Sequence, residues 1–158
     1  MSVTIEISVE CEGWHRILGA ELIAHRAALA AFQEGSVGDG EASILLADDA
    51  RVRELNREFR KKDQPTNVLS FPSNATHNGV RFYGDVAIAF ETVVREAREE
   101  GKRVDAHLTH LTAHGVLHLL GFDHENEDDA EKMESLETKI LAKLGFSDPY
   151  AARAELDA

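Results

Sequence analysis

The sequence predicts an α+β fold, a small mixed four-stranded sheet packed with about five helices. Three observations carry that expectation. Four short segments have the alternating or β-branched character of strands. Helical spacing dominates the second half of the chain. The two kinds of segment do not alternate as regular βα units, which argues against a purely parallel sheet.

Taken in order, VTIEISV at 3–9 alternates apolar and polar residues and reads as a strand. Trp14, Ile17, Leu18, Leu22, Leu29 and Phe32 recur at roughly helical spacing, so 14–33 reads as one amphipathic helix. Gly35, Gly38 and Gly40 break it. A second strand is expected at 42–48. A helix follows over 50–60, capped by Asp48 or Asp49, with Val52, Leu55, Asn56 and Phe59 on one side. Pro65 ends that pattern, and NVLSF at 67–71 is a short strand closed by Pro72. Residues 73–81 are polar and read as a loop. GDVAIAF at 84–90 is the fourth strand, with a helix over about 91–101. A long helix over about 104–120 ends at Gly121, a natural left-handed C-cap position. An acidic helix over about 127–144 ends at Gly145.

At 158 residues the chain is the length of one domain, 1–158, and can bury a core without disulfides. Cys11 is its single cysteine and reads as a small apolar residue. The N-terminal segment has no basic stretch followed by a long apolar run, and no segment has the length of a membrane span. A cytoplasmic protein is expected. The net charge of −12 argues against a polyanionic partner, but the charge is uneven. Residues 1–50 carry a net −7 and residues 104–158 a net −8, whereas residues 51–103 hold 11 basic and 8 acidic groups. Local fields steer ligands more than totals do.

The most informative segment is HGVLHLLGFDH at 114–124. His114 and His118 stand four apart, so on a helix their rings lie one above the other and can share a metal ion. Gly121 lets the chain turn out of the helix, and His124 arrives from the loop. Three neutral imidazoles leave a fourth tetrahedral position for water, as catalytic zinc sites do. One zinc-type ion per chain is expected at the end of this helix. The same H-x-x-x-H-x-x-G-x-x-H spacing occurs in metzincin proteases, where a Glu follows the first His as general base. Gly115 stands there instead, which removes the main chemical support for a peptidase. His107 and His110 are expected to be structural or partly exposed, with hydrogen bonding behind the metal ligands as the alternative. His15, His25 and His77 read as surface residues.

RVRELNREFRKK at 51–62 is a basic island. Arg51, Arg53 and Arg57 fit a solvated helix face paired with Glu54 and Glu58. Arg60 lies at the helix end, before the polar loop that leads into NVLSFP. An arginine there, beside a metal, suits binding of a phosphodiester and its transition-state charge.

LNREFRKKDQPTNVLSFP, GDVAIAF and HLTHLTAHGVLHLLGFDHENEDDAEKMESLE, in this order and spacing, closely resemble the YbeY family of bacterial endoribonucleases and ribosomal RNA maturation factors. The resemblance covers about residues 41–150. It implies a zinc-dependent, single-strand-specific endoribonuclease acting in 16S ribosomal RNA 3′-end maturation and ribosome quality control. It further implies zinc ligation by His114, His118 and His124, and a functional role for Arg60. The partners it implies are single-stranded ribosomal RNA and a ribosomal subunit or ribosome-associated protein. The general base stays open between water-derived hydroxide, a substrate phosphate oxygen, Asp123 and Glu125. The competing expectation is a weakly catalytic or non-catalytic assembly factor whose metal mainly holds the C-terminal half together.

Overall fold

Alternating side chains make β1 (Val3–Val9), and a parallel neighbour, β2 (Gly40–Ala47), pairs with it from Val3↔Gly40 to Val9↔Leu46. The computed structural model describes residues 2–35 and 37–150. After β2 come α2 (Asp49–Arg60), β3 (Val68–Pro72), the short β4 (Thr76–His77) and β5 (Val80–Ala89). The main sheet runs β1-β2-β5-β3, with β3 antiparallel and β1 and β2 parallel to their neighbours. The sheet is therefore mixed, as expected. Three helices follow it: α3 (Phe90–Glu99), α4 (Val104–Leu119) and α5 (Glu127–Lys143). With α1 (Ala20–Glu34) between β1 and β2, the described residues hold five α-helices.

Two local expectations need correction. The helix expected over 14–33 is broken: Glu12–Arg16 form a 3-10 turn, and α1 begins at Ala20, after Gly19 at φ 71°. Trp14 anchors the first piece. It is 1% exposed, donates from Nε1 to the Ala47 carbonyl at 2.9 Å, and meets Phe90 edge-on. Fixing that ring forces the chain to bend before α1 can lie on the sheet, and Leu18 is left 97% exposed at the bend. The loop expected over 73–81 contains β4 and the start of β5. Asn78 and Gly79 both take positive φ, 52° and 79°, as the two central residues of a tight hairpin turn require.

The core lies mainly between the sheet and α1, α4 and α5, where Phe32, Ile44, Val86, Ile88, Leu108, Leu117 and Ile140 are buried. A smaller cluster under α2 joins Val52 to Ala47, Leu69, Ala87 and Ala89. Asp48 caps α2 by accepting from the Arg51 N–H at 2.8 Å. Asp49 instead ties α2 to α3, accepting from Thr92.

The helix that matters most for the site is α4. It is buried on nearly every side from His107 to Leu119. The exceptions are His110, His114 and His118, a half-buried stripe at four-residue spacing. Beside that stripe, about 100° round the axis from His114, Gly115 brings the helix backbone onto the sheet, and its carbonyl accepts from Ser70 Oγ at 2.7 Å. A Cβ there would stand 2.7 Å from Val86 Cγ1 and 3.1 Å from Val68 Cγ2.

Gly115→Ala should therefore destabilise the fold by about 1–3 kcal/mol through overpacking. Urea unfolding measures this, and an unchanged midpoint would mean that α4 can shift off the sheet freely.

Candidate metal centre

His114 and His118 come from the last two turns of α4. Leu120 and Gly121 then close the helix, with Gly121 at φ 94°, and the chain turns back so that His124 faces the same point. The Nε2 atoms of His114 and His118 are 3.1 Å apart. One ligand atom from each of the three histidines lies within 4.8 Å of the others. Two imidazole nitrogens on a tetrahedral zinc stand about 3.3 Å apart. The pair on α4 is thus already set to that separation. His124, with its side chain 56% exposed, has the freedom to close the rest. The three rings form a site that could hold a metal ion and is open on its remaining side.

What sets these rings lies behind them. Glu137 of α5 is 1% exposed and accepts from His114 Nδ1 through Oε1 and from His110 Nε2 through Oε2, each at 2.7 Å. Tyr150 Oη also donates to Oε2. Because Nδ1 of His114 is spent on the carboxylate, Nε2 is the nitrogen left for a cation. Burial alone would raise the Glu137 pKa. Hydrogen bonds from His110 and His114, with the charge on both rings, outweigh it and hold the carboxyl at about 2. Burial, and then His114 and His124, lower His118 below the usual imidazole value, so it sheds its proton readily for ligation.

Asp123, half-buried, accepts from the His124 backbone N–H at 2.7 Å, which holds its carboxyl below the usual range. Its Oδ1 also lies 3.4 Å from His124 Nδ1. That placement suits steering the His124 ring.

Arg60 reaches the same cleft. It lines a space of about 530 Å3 together with Ser70, His114, His118, Asp123 and His124. Its guanidinium donates to the Ser70 carbonyl and sits over the Phe71 ring at 5.5 Å. Asn56, 3% exposed, shapes the loop after α2 by donating to the Gln64 carbonyl at 2.9 Å. Arg51 and Arg53 are solvated as expected, paired with Glu54 and Asp63. Phe59, expected on the buried side of α2, is 67% exposed, edge-on to Phe71.

The position that carries the general base in a metzincin is closed here, because Gly115 faces the sheet. His107, 4% exposed, bonds Glu96 at 2.9 Å, and His110 lies behind the candidate ligands, sharing Glu137 with His114. Sequence reasoning missed Glu137. The available signal was a carboxylate on the apolar stripe of α5, four residues from Met133 and three from Ile140, both fully buried.

Fold and site together define a class: an α+β protein with three imidazoles converging on an open cleft that also holds an arginine. Comparison with known proteins narrows it. The family model for endoribonuclease YbeY matches residues 15–145. Proteins named endoribonuclease YbeY are similar over almost their whole length. One from a Bradyrhizobium species is 49% identical over 98% of this chain and 96% of its own. One from Azorhizobium caulinodans is 52% identical over 96% and 98%. A solution structure of a Thermotoga maritima protein superposes with a TM-score of 0.57 at 26% identity, covering 92% of this chain and 98% of that one. The chain belongs to the endoribonuclease YbeY family.

Two outcomes are expected of the centre. Glu137→Gln should weaken metal binding about 10–100-fold, since it removes the charge that orients His114. Competition with a chelating dye measures this, and an unaltered affinity would reduce Glu137 to a packing role. Metal affinity should also fall between pH 7.5 and pH 5, because ligation needs neutral imidazoles. Glu137, at about 2, stays ionised across that window, so the loss belongs to the rings. Equal affinity at the two pH values would mean that histidines are not the ligands.

Proposed function

We propose that this chain is a zinc-dependent, single-strand-specific endoribonuclease acting in 16S ribosomal RNA 3′-end maturation and ribosome quality control. Residues 1–158 act in it as one domain in the cytoplasm, in contact with a ribosomal subunit or ribosome-associated protein. The observation that carries the hydrolytic part is the shared cleft of Arg60 with His114, His118 and His124. Family membership supports RNA as the substrate. Among the described residues, no helix is long and apolar enough to cross a membrane.

His114, His118 and His124 would hold one zinc ion. When bound it supplies Lewis acidity, polarising a phosphoryl oxygen and bringing the pKa of water towards neutrality. The residues of the chain do the rest. Glu137 keeps His114 in the required tautomer, and Asp123 steers His124. Arg60, fixed by Ser70 and Phe71, offers its remaining N–H donors to the scissile phosphate and stabilises the charge that grows there. The recessed rings of His114 and His118 favour a single strand, whose unstacked backbone can enter a cleft that a stiff A-form duplex does not follow.

Arg60→Glu should lower cleavage of single-stranded RNA about 10²–10³-fold with metal content and circular dichroism preserved. Arg53→Glu should do far less, and chelation should abolish cleavage in both the wild type and Arg53→Glu. Matched single- and double-stranded substrates complete the comparison. Equal damage from the two reversals would make Arg60 part of a diffuse basic face.

A further inference from the structure

A second cleft of about 620 Å3 adjoins the metal centre. Asn67, Val68 and His114 line both clefts, so the two meet at the wall that carries a candidate ligand. The second cleft is lined by Glu96, Glu100, Lys102, His107, His110 and Tyr150, among others. Its chemistry is unlike that of the first. The arginine is replaced by carboxylates, and Lys102, the one cation among the described lining residues, is paired with Glu100 at 3.3 Å. Phosphate is repelled there.

The wall is a built polar surface. Glu96 Oε1 accepts from His107 Nε2 at 2.9 Å and from Asn67 Nδ2 at 3.1 Å, while Oε2 has only the long 3.4 Å contact with Asn67. Glu96 is therefore fixed in orientation with acceptor capacity left over, and its side chain is 29% exposed. His107, 4% exposed, keeps its Nδ1 without a hydrogen-bond partner, 3.9 Å from the Glu100 carboxylate on the rim. A nitrogen in that state has hydrogen-bonding capacity left for a group in the cleft. His110 and Tyr150 bring two rings to the same space, edge-on at 5.5 Å.

We propose that this second cleft is a nucleobase subsite, in which Glu96 accepts the exocyclic amino group of a base next to the scissile phosphate. The proposal rests on the ribonuclease reading above and deepens it. A strand whose phosphate lies between Arg60 and the imidazoles places its neighbouring nucleotide at the shared wall. The carboxylates turn the next phosphate away and accept from amino-bearing bases, as Glu does from cytosine N4. Aromatic rings beside them suit a base splayed out of its stack. Uracil, with a carbonyl where cytosine has its amino group, is the poor ligand.

The test uses the full chain loaded with zinc and RNA hexamers that differ only by cytosine or uracil at each position flanking the cut. Cleavage is measured on these, and binding by fluorescence anisotropy on the same hexamers after chelation of the metal, which stops the cut. The wild type should favour cytosine at one flanking position by about tenfold in both assays. Glu96→Gln should bring that ratio close to one. Glu100→Lys, on the exposed rim, places an ammonium that competes for Glu96 and should have the same effect without disturbing the core. Metal content is followed in both variants. Equal wild-type affinity for the two bases overturns the subsite. So does a cytosine preference that survives both substitutions, and so does an equal loss for both bases, which would mark a sugar contact. If no RNA is cut, the ribonuclease reading fails, and the binding ratios still decide the subsite by the same criteria.

Discussion

The seating of α4 on the sheet is the constraint on which the rest of the site depends. Ser70 holds the Gly115 carbonyl, and the absence of a side chain at Gly115 lets the helix backbone approach Val68 and Val86 directly. A helix pressed so closely against a sheet, with α1, α3 and α5 on its other sides, has little surface left for polar groups. His110, His114 and His118 occupy what remains. Their four-residue spacing aligns the rings along one edge, where α5 can insert a single carboxylate between two of them. The candidate metal site is thus placed by packing. Ser70 has a further consequence: its hydroxyl positions α4 while its carbonyl receives Arg60. One residue of β3 fixes both the imidazole helix and the arginine opposite it.

Much of this was legible in the sequence, for physical reasons that differ from part to part. The imidazole trio was readable because ligand spacing on a helix is a local property, set by pitch and by a glycine turn. Arg60 was separable from Arg51 and Arg53 because it borders a loop rather than a solvated face, and the structure pairs the other two with Glu54 and Asp63. The break at 14–33 was hidden because apolar residues at helical spacing continue across it. Gly19 was its local signal, and the long-range bond from Trp14 to Ala47 holds the first piece in place. The hairpin at Asn78–Gly79 did have a local signal, an Asn-Gly pair, which the polar composition of 73–81 obscured. Glu137 lay beyond spacing rules, since its partners are 23 and 27 residues away on another helix.

Glu137 also bears on why this C-terminal half holds together. A buried carboxylate is unfavourable unless its charge is matched and its lone pairs are filled. Here His110, His114 and Tyr150 fill them, and each comes from a different part of α4 or from the segment after α5. A cation on Nε2 of His114 would draw the Nδ1 proton further toward the carboxylate and strengthen that bond. Ligation and packing then reinforce one another, and ion binding to the native state adds stability by mass action. Through this coupling one ion would serve the proposed catalysis and also hold the C-terminal half together. The two roles would use the same bonds, and a change at Arg60, proposed to meet the substrate, would separate them.

The charge distribution completes the argument. A protein of net charge −12 meets a polyanion only where its own field is locally reversed. α2 supplies that reversal. Arg60 ends it in the cleft of the imidazoles, with Lys61 and Lys62 following in the chain, while α5 opens with Glu127, Asp128 and Asp129 just beyond His124. A strand approaching from the α5 side is repelled, and one approaching along α2 is drawn in. The acidic surroundings are therefore part of recognition. On the proposed reading they would confine phosphate contacts to the short stretch where Arg60 shares a cleft with the three histidines, and would leave the next cleft to groups that donate hydrogen bonds instead of bearing negative charge.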